Sequence, residues 1–272
     1  MFDAISSQAS KLINLTNRVK KNYSKTKLVT ITSGKGGVGK STFTANMAFL
    51  LSRRGFKVAV LDADIGLANM QVLFNLKPEN TLFEYIEGVK TLDEVITKTV
   101  YENVYLIAGK SGYQYTTNTN SFIFSRVVKD IISLNQFDIL LIDTGAGLND
   151  YVREFLSISD NILAVTTTDP SALTDVYSLM KMLSFNKNRL MICFNHTKSY
   201  QIGETIASSL VNLGKKNRLN EDFMVEYIGN VSSSANISTT GRLRKLFANE
   251  FSSDETTRQL QMIIDKLLKN IH

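Results

Sequence analysis

The 272-residue chain has one cysteine, two prolines and no tryptophan. A single thiol excludes internal disulfides and any cluster held by paired cysteines. Its place in the apolar run RLMICF marks Cys193 as a buried strand residue. No apolar run approaches the roughly 18–20 residues of a membrane-spanning helix. The opening MFDAISSQASKLINLTNRVKK lacks the unbroken apolar core and small-residue cleavage site of a secretory signal. A reducing cytosol is the default compartment. Net charge is scarce over most of the chain. Of the formal +6, residues 1–27 supply most, with Lys11, Arg18, Lys20, Lys21, Lys25 and Lys27 set against Asp3 alone. A basic tail on a near-neutral body suits an acidic partner, anionic lipid or nucleic acid, or is a solvated linker.

The two prolines are Pro78 and Pro170, and nothing inside 28–248 looks like a linker. The expected organisation is a basic extension (1–27), one domain (28–250) and a C-terminal amphipathic helix (251–272). Strand-like runs recur at 28–33, 57–64, 103–109, 137–144, 161–168, 189–195 and 223–230. Several are apolar on successive residues, as parallel strands covered on both faces require. Helical patterns at 40–54, 81–96, 121–135, 171–184 and 201–213 alternate with them. The fold class is therefore α/β, with a doubly wound, mainly parallel sheet flanked by helices.

Residues 33–42, SGKGGVGKST, follow a strand and open a helix, the context of a phosphate-binding loop. Glycines let backbone N–H groups converge on phosphate oxygens at the positive end of the helix. Lys40 would reach the β- and γ-phosphates, and the Ser41 hydroxyl would ligate Mg²⁺. Asp62 and Asp64 close one strand-like run and Asp143 another, at the carboxyl ends of strands where such folds bind ligands. Each alone is a common strand-end or turn residue. Three of them beside the loop point to a site. The loop also carries a second lysine, Lys35, five positions before Lys40.

GKGGVGKST with that early lysine resembles the deviant Walker A loop of the MinD/ParA ATPases, and the resemblance covers about residues 28 to 250. It implies a P-loop NTPase fold, ATP with Mg²⁺, and nucleotide contacts from Gly34, Gly36, Gly37, Val38, Gly39, Lys40, Ser41 and Thr42. It implies an ATP-dependent homodimer in which Lys35 reaches the nucleotide of the other subunit. An added cation stabilises the charge of phosphoryl transfer, as an arginine finger does. Asp62 and Asp143 would hold Mg²⁺ through water, and Asp64 would orient or deprotonate the attacking water. Asn195 would meet adenine, its amide able to donate and accept. The family's IPxDxxV-like segment is replaced here by NVSSSANI (230–237), and His196 reads as an exposed loop histidine.

Within the family, DADIGLANMQVLFNL, DTGAGLNDYVREF and TTTDPSALTDVYSLMK look like the flagellar branch. That resemblance implies docking of residues 2–20 on an FlhF-like GTPase and contact with flagellar switch or basal-body proteins. Gln8, Ala9 and Leu12 match that branch's N-terminal motif, whereas Ser7 and Ile13 replace its acid and its arginine. Phe2, Ile5, Ala9, Leu12, Thr16 and Val19 draw a narrow apolar stripe suited to a partner's groove. At the other end, 256–272 places Leu260, Ile263, Ile264, Leu267, Leu268 and Ile271 on one face. The expectation is that this stripe covers the domain in the monomer and meets the anionic inner membrane in the ATP dimer. The protein would then be cytoplasmic and reversibly membrane-associated. Division-site control and DNA partition are the alternative roles. A DNA partner, for which Lys20, Lys21, Lys25 and Lys27 would be the phosphate contacts, is the less expected, because the segments quoted look like the flagellar branch.

Overall fold

The computed structural model describes residues 26–65, 68–110, 122–197, 199–217 and 219–271. The expectations placed on residues 1–25 lie outside the described residues. Eight strands form one sheet: β1 Lys27–Ser33, β2 Val58–Ala63, β3 Ile96–Lys98, β4 Val104–Ile107, β5 Ile139–Ala146, β6 Asn161–Thr166, β7 Arg189–Asn195 and β8 Met224–Val231. Their order is β3-β4-β2-β5-β1-β6-β7-β8, and only β3 runs antiparallel to its neighbour. The helices are α1 Lys40–Ser52, α2 Met70–Leu73, α3 Leu82–Ile86, α4 Leu92–Val95, α5 Ile123–Ser133, α6 Asp150–Ile158, α7 Pro170–Leu183, α8 Tyr200–Lys216, α9 Ala235–Arg242, α10 Phe247–Glu250 and α11 Glu255–Asn270.

The continuous apolar runs are explained by cores on both faces of the sheet. Every residue of β6 is buried, and alternate side chains part company at the pleat. Leu163 and Val165 join the core under α1 and α11, while Ile162 and Ala164 join the core under α7 and α8. Helix α1 is buried from Phe43 to Ser52, because the sheet lies on one side and α10 and α11 on the other. No helix among the described residues is long and apolar enough to cross a membrane.

The seven strand-like runs form the seven parallel strands. The helical pattern at 81–96 does not form one helix. Gly88, at φ 73, breaks it after α3, and two capping boxes, Thr81 with Glu84 and Thr91 with Glu94, start separate helices. Residues 96–98 then become the antiparallel edge strand β3. Helices α2, α6, α9 and α10 fall outside the helical patterns expected from the sequence.

Helix α11 uses its apolar stripe on the protein itself. Leu260, Ile263, Ile264 and Leu267 are buried in the same core as α1, with Leu268 and Ile271 packed against it. Close approach depends on Gly229, which sits at φ 146 beside a register shift between β7 and β8. A Cβ there would lie 2.8 Å from Cγ1 of Ile263. Arg54 pairs with Asp265 at 2.7 Å, and Arg189 donates to the Asn270 carbonyl at 2.6 Å, fastening the C-terminal half of the helix.

Candidate phosphate-binding site

Strand β1 ends at Ser33 and α1 begins at Lys40, so residues 34–39 turn the chain back over the sheet edge. The turn is clamped on both sides. A Cβ on Gly34 would collide with Asp175 of α7, and one on Gly39, at φ 86, would collide with the Asn195 amide. The loop faces a cavity of about 450 Å³, a size ordinary for small-molecule sites. Gly36, Gly37, Val38, Gly39, Lys40, Ser41 and Thr42 line it from one side, and Asp64 and Asn69 from another. Gly145 at the end of β5, with Asn149 and Tyr151 beyond it, closes the third.

Beneath the cavity lies a buried charge cluster. Adjacent parallel strands bring Asp62 of β2 level with Asp143 of β5. Lys40 Nζ donates to Asp143 Oδ1 at 2.9 Å, and the Thr44 hydroxyl donates to the same oxygen at 2.9 Å. Asp143 Oδ2 is buried without a partner. An orphaned carboxylate oxygen under a loop of converging N–H groups fits a hydrated cation held between the two. Ser41, Asp62 and Asp143 are the groups able to hold Mg²⁺ there. Among the described residues no three acidic, histidine or cysteine side chains converge on a metal position. The other ligands would therefore be water and phosphate oxygens.

Asp62 also has a structural task. Its Oδ1 accepts from the Asp64 N–H at 3.2 Å, and its Oδ2 accepts from the N–H groups of Asn69 and Met70 at 3.1 and 3.0 Å. It thereby folds back the segment after β2. Burial, and then the charge of Asp143, push its carboxyl up to about 7. Asp64 is half-buried at the cavity wall, and burial also raises its pKa, which suits a proton acceptor. Residues 66–67 of this segment lie outside the described residues.

Three predicted residues stand apart from the cavity: Lys35, Asn195, and Gly34, which packs on Asp175. Lys35 is exposed, does not line it, and donates from Nζ to the Ser171 hydroxyl on α7 at 2.7 Å. Asn195 lines a second cavity of about 220 Å³ that opens past Gly39 and Thr42. Its amide braces the loop, donating to the Val38 carbonyl at 2.8 Å and accepting the His196 N–H at 3.0 Å. Thr44, which anchors Asp143, was not singled out in the sequence. Its position one helical turn after Lys40 was the available signal.

The chain matches the ParA family, described as NUBPL iron-transfer P-loop NTPase, over residues 24–268. It is 34% identical to the flagellum site-determining protein YlxH of Helicobacter pylori over 97% of this chain and 92% of that protein. It is 31% identical to the antiactivator FleN of Pseudomonas aeruginosa over 74% of this chain and 72% of that protein. Among solved structures, the septum site-determining protein MinD of Pyrococcus horikoshii, complexed with Mg-ADP, superposes with a TM-score of 0.74. That match has 21% identity and covers 90% of this chain and 98% of the other, a likeness of fold.

Proposed function

The chain belongs to the ParA/MinD family of P-loop NTPases, and from that premise we propose that it is an ATP-dependent switch that closes as a homodimer and regulates the number or placement of flagella. The observation that carries the reading is the placement of Lys35. It stands outside its own subunit's cavity on an exposed loop, held by one surface hydrogen bond. A cation in that position is available to a second copy packed face to face. Lys40, Ser41 and the loop N–H groups bind the phosphates in cis, and Lys35 completes the partner's site in trans. Lys40 turns from Asp143 to the phosphates on binding, freeing Asp143 for the cation's water shell. Bound Mg²⁺ neutralises charge on the phosphoryl oxygens. Asp64 orients the attacking water and accepts its proton.

Lys35→Ala is the test. ATP binding to the single subunit should stay within about twofold, while ATP-dependent dimerisation and hydrolysis should fall by roughly 10²-fold or more. Because an exposed contact to Ser171 contributes little, stability should change by less than about 0.5 kcal/mol. Calorimetry, light scattering and phosphate release report these quantities. Normal turnover in the variant would remove the trans role.

The flagellar assignment rests on the relative that aligns with 97% of the chain and is named as flagellum site-determining. Iron transfer, in the family's printed description, is not carried over, because the single cysteine is buried and cannot supply a thiolate pair. The partner proposed for residues 2–20 is an FlhF-like GTPase, docked through the segment that carries Gln8, Ala9 and Leu12. A peptide of residues 1–25 should accelerate GTP hydrolysis by that partner. An inert peptide, with the full-length protein also inert, would dissociate this chain from that GTPase. Lipid contact through residues 256–272 is proposed for the ATP dimer alone, because it would have to move Leu260, Ile263, Ile264 and Leu267 from the core that they share with α1 into the bilayer interface.

A further inference from the structure

Asp143 is held twice, on the same oxygen, by residues one turn apart on α1. Lys40 and Thr44 stand four positions apart on that helix and share its β5-facing side. Lys40 Nζ and the Thr44 hydroxyl each donate to Asp143 Oδ1 at 2.9 Å. The two holds differ in kind. Lys40 ends a flexible aliphatic stem and lines the cavity, so its ammonium can turn to a phosphate. Thr44 is β-branched and stiff, is fully buried, and does not line the cavity.

The Thr44 hydroxyl also lies 3.0 Å from the Lys40 carbonyl, the back-bond of a helical threonine. One proton thus faces two acceptors. When the ammonium leaves, the carboxylate is the more negative of them, and the proton goes to it. No third donor touches Asp143 among the described residues. The Ser41 hydroxyl lies 3.5 Å from Lys40 Nζ and makes no bond to Asp143, whose Oδ2 is buried without a partner. A carboxylate's terminal torsion is broad and roughly two-fold. With Lys40 gone, Thr44 is what fixes it.

We propose that Thr44 is a positioning residue for the cation: it keeps hold of Asp143 Oδ1 after Lys40 has turned to the phosphates, and so leaves Oδ2 set for the water shell of Mg²⁺. The inference rests on the nucleotide reading above and deepens it. In the empty site Lys40 shares the task, and Thr44 is partly redundant. In the loaded site Thr44 holds the carboxylate alone. Without the cation, Lys40 remains the group that answers Asp143, with or without Thr44. The contribution of Thr44 is therefore to the Mg²⁺ dependence of ATP binding.

The experiment measures ATP binding to the full chain by calorimetry, in EDTA and across a Mg²⁺ titration. Thr44→Val removes the donor and keeps the shape. Thr44→Ser keeps the donor. Thr44→Cys, a weaker donor of similar size, is the milder variant should valine prevent folding. Thr44→Val should raise the Mg²⁺ concentration that half-saturates the tightening of ATP binding by about tenfold, the worth of one hydrogen bond to a charged group. Thr44→Cys should raise it about threefold, and Thr44→Ser should leave it within about twofold of wild type. ATP affinity in EDTA should stay within about threefold for all three. An equal loss with and without Mg²⁺ would make Thr44 a support of α1 and overturn the proposal. An unchanged Mg²⁺ titration in Thr44→Val would overturn it as well, as would a Thr44→Ser variant no better than Thr44→Val. Wild-type ATP affinity indifferent to Mg²⁺ would overturn the cation site and leave the phosphate site standing. Failure of the wild type to bind ATP would overturn the nucleotide reading itself.

Discussion

Replacing Lys40 with alanine is expected to weaken ATP binding by roughly hundredfold or more and to destabilise the nucleotide-free protein by about 3 kcal/mol. The two losses have one cause. Lys40 is 6% exposed and Asp143 1%, and their contact is 2.9 Å. Removing one partner of a buried ion pair leaves the other charge desolvated and unanswered. Asp143 would keep only the Thr44 hydroxyl on one oxygen and nothing on the other. The deficit should depend on pH. Burial, then Asp143, already push Asp62 up to about 7, and Lys40 pulls it down. A carboxyl whose folded pKa exceeds its unfolded value supports the fold below the unfolded pKa and loses that support as pH rises through the folded one. Without Lys40 the folded value climbs further, so the variant's deficit should keep growing above pH 7. Urea unfolding in EDTA across pH 5 to 9 measures this. Equal stability of variant and wild type at pH 8 would show that the ion pair contributes nothing.

Asp64→Ala is expected to separate binding from turnover. Asp64 lines the cavity, is half-buried, and makes no ion pair among the described residues. Losing it should alter folding stability by less than about 1 kcal/mol. Hydrolysis should fall by roughly 10²–10³, the usual contribution of a positioned base. ATP should still bind, so the closed dimer should accumulate and persist instead of reopening. Single-turnover phosphate release and light scattering with ATP would be read together. A variant that hydrolyses ATP at the wild-type rate would assign the water-positioning role elsewhere. A variant that fails to dimerise would instead place Asp64 in closure.

These expectations differ in how much of their basis is visible along the chain. The loop is local: strand, turn and helix are consecutive between Lys27 and Ser52, so SGKGGVGKST declares itself. The parallel strands are nearly as legible, because burial on both faces leaves runs such as VAVLDA without polar alternation. The 81–96 segment was misread through its apolar period, although Gly88 and the Thr91–Glu94 capping box stood in the sequence as stop and start signals. The contacts that organise the site are another matter. Thr44 meets Asp143 across 99 positions, and Lys35 meets Ser171 across 136.

The sequence by itself determined the α/β class, the parallel strands, the phosphate loop and the three strand-end aspartates, because each is written in adjacent residues or in a short period. Tertiary structure alone decided which partner each group takes. It put the stripe of α11 against the core, because the sheet face beside α1 had no other cover. It tied Asn195 to the loop and gave Asp143 the Thr44 hydroxyl as its second hold. Apolar spacing shows that a face is buried, and residue type shows which bonds a side chain can make. What covers the face, and which bonds are already made, depends on groups brought together from distant parts of the chain.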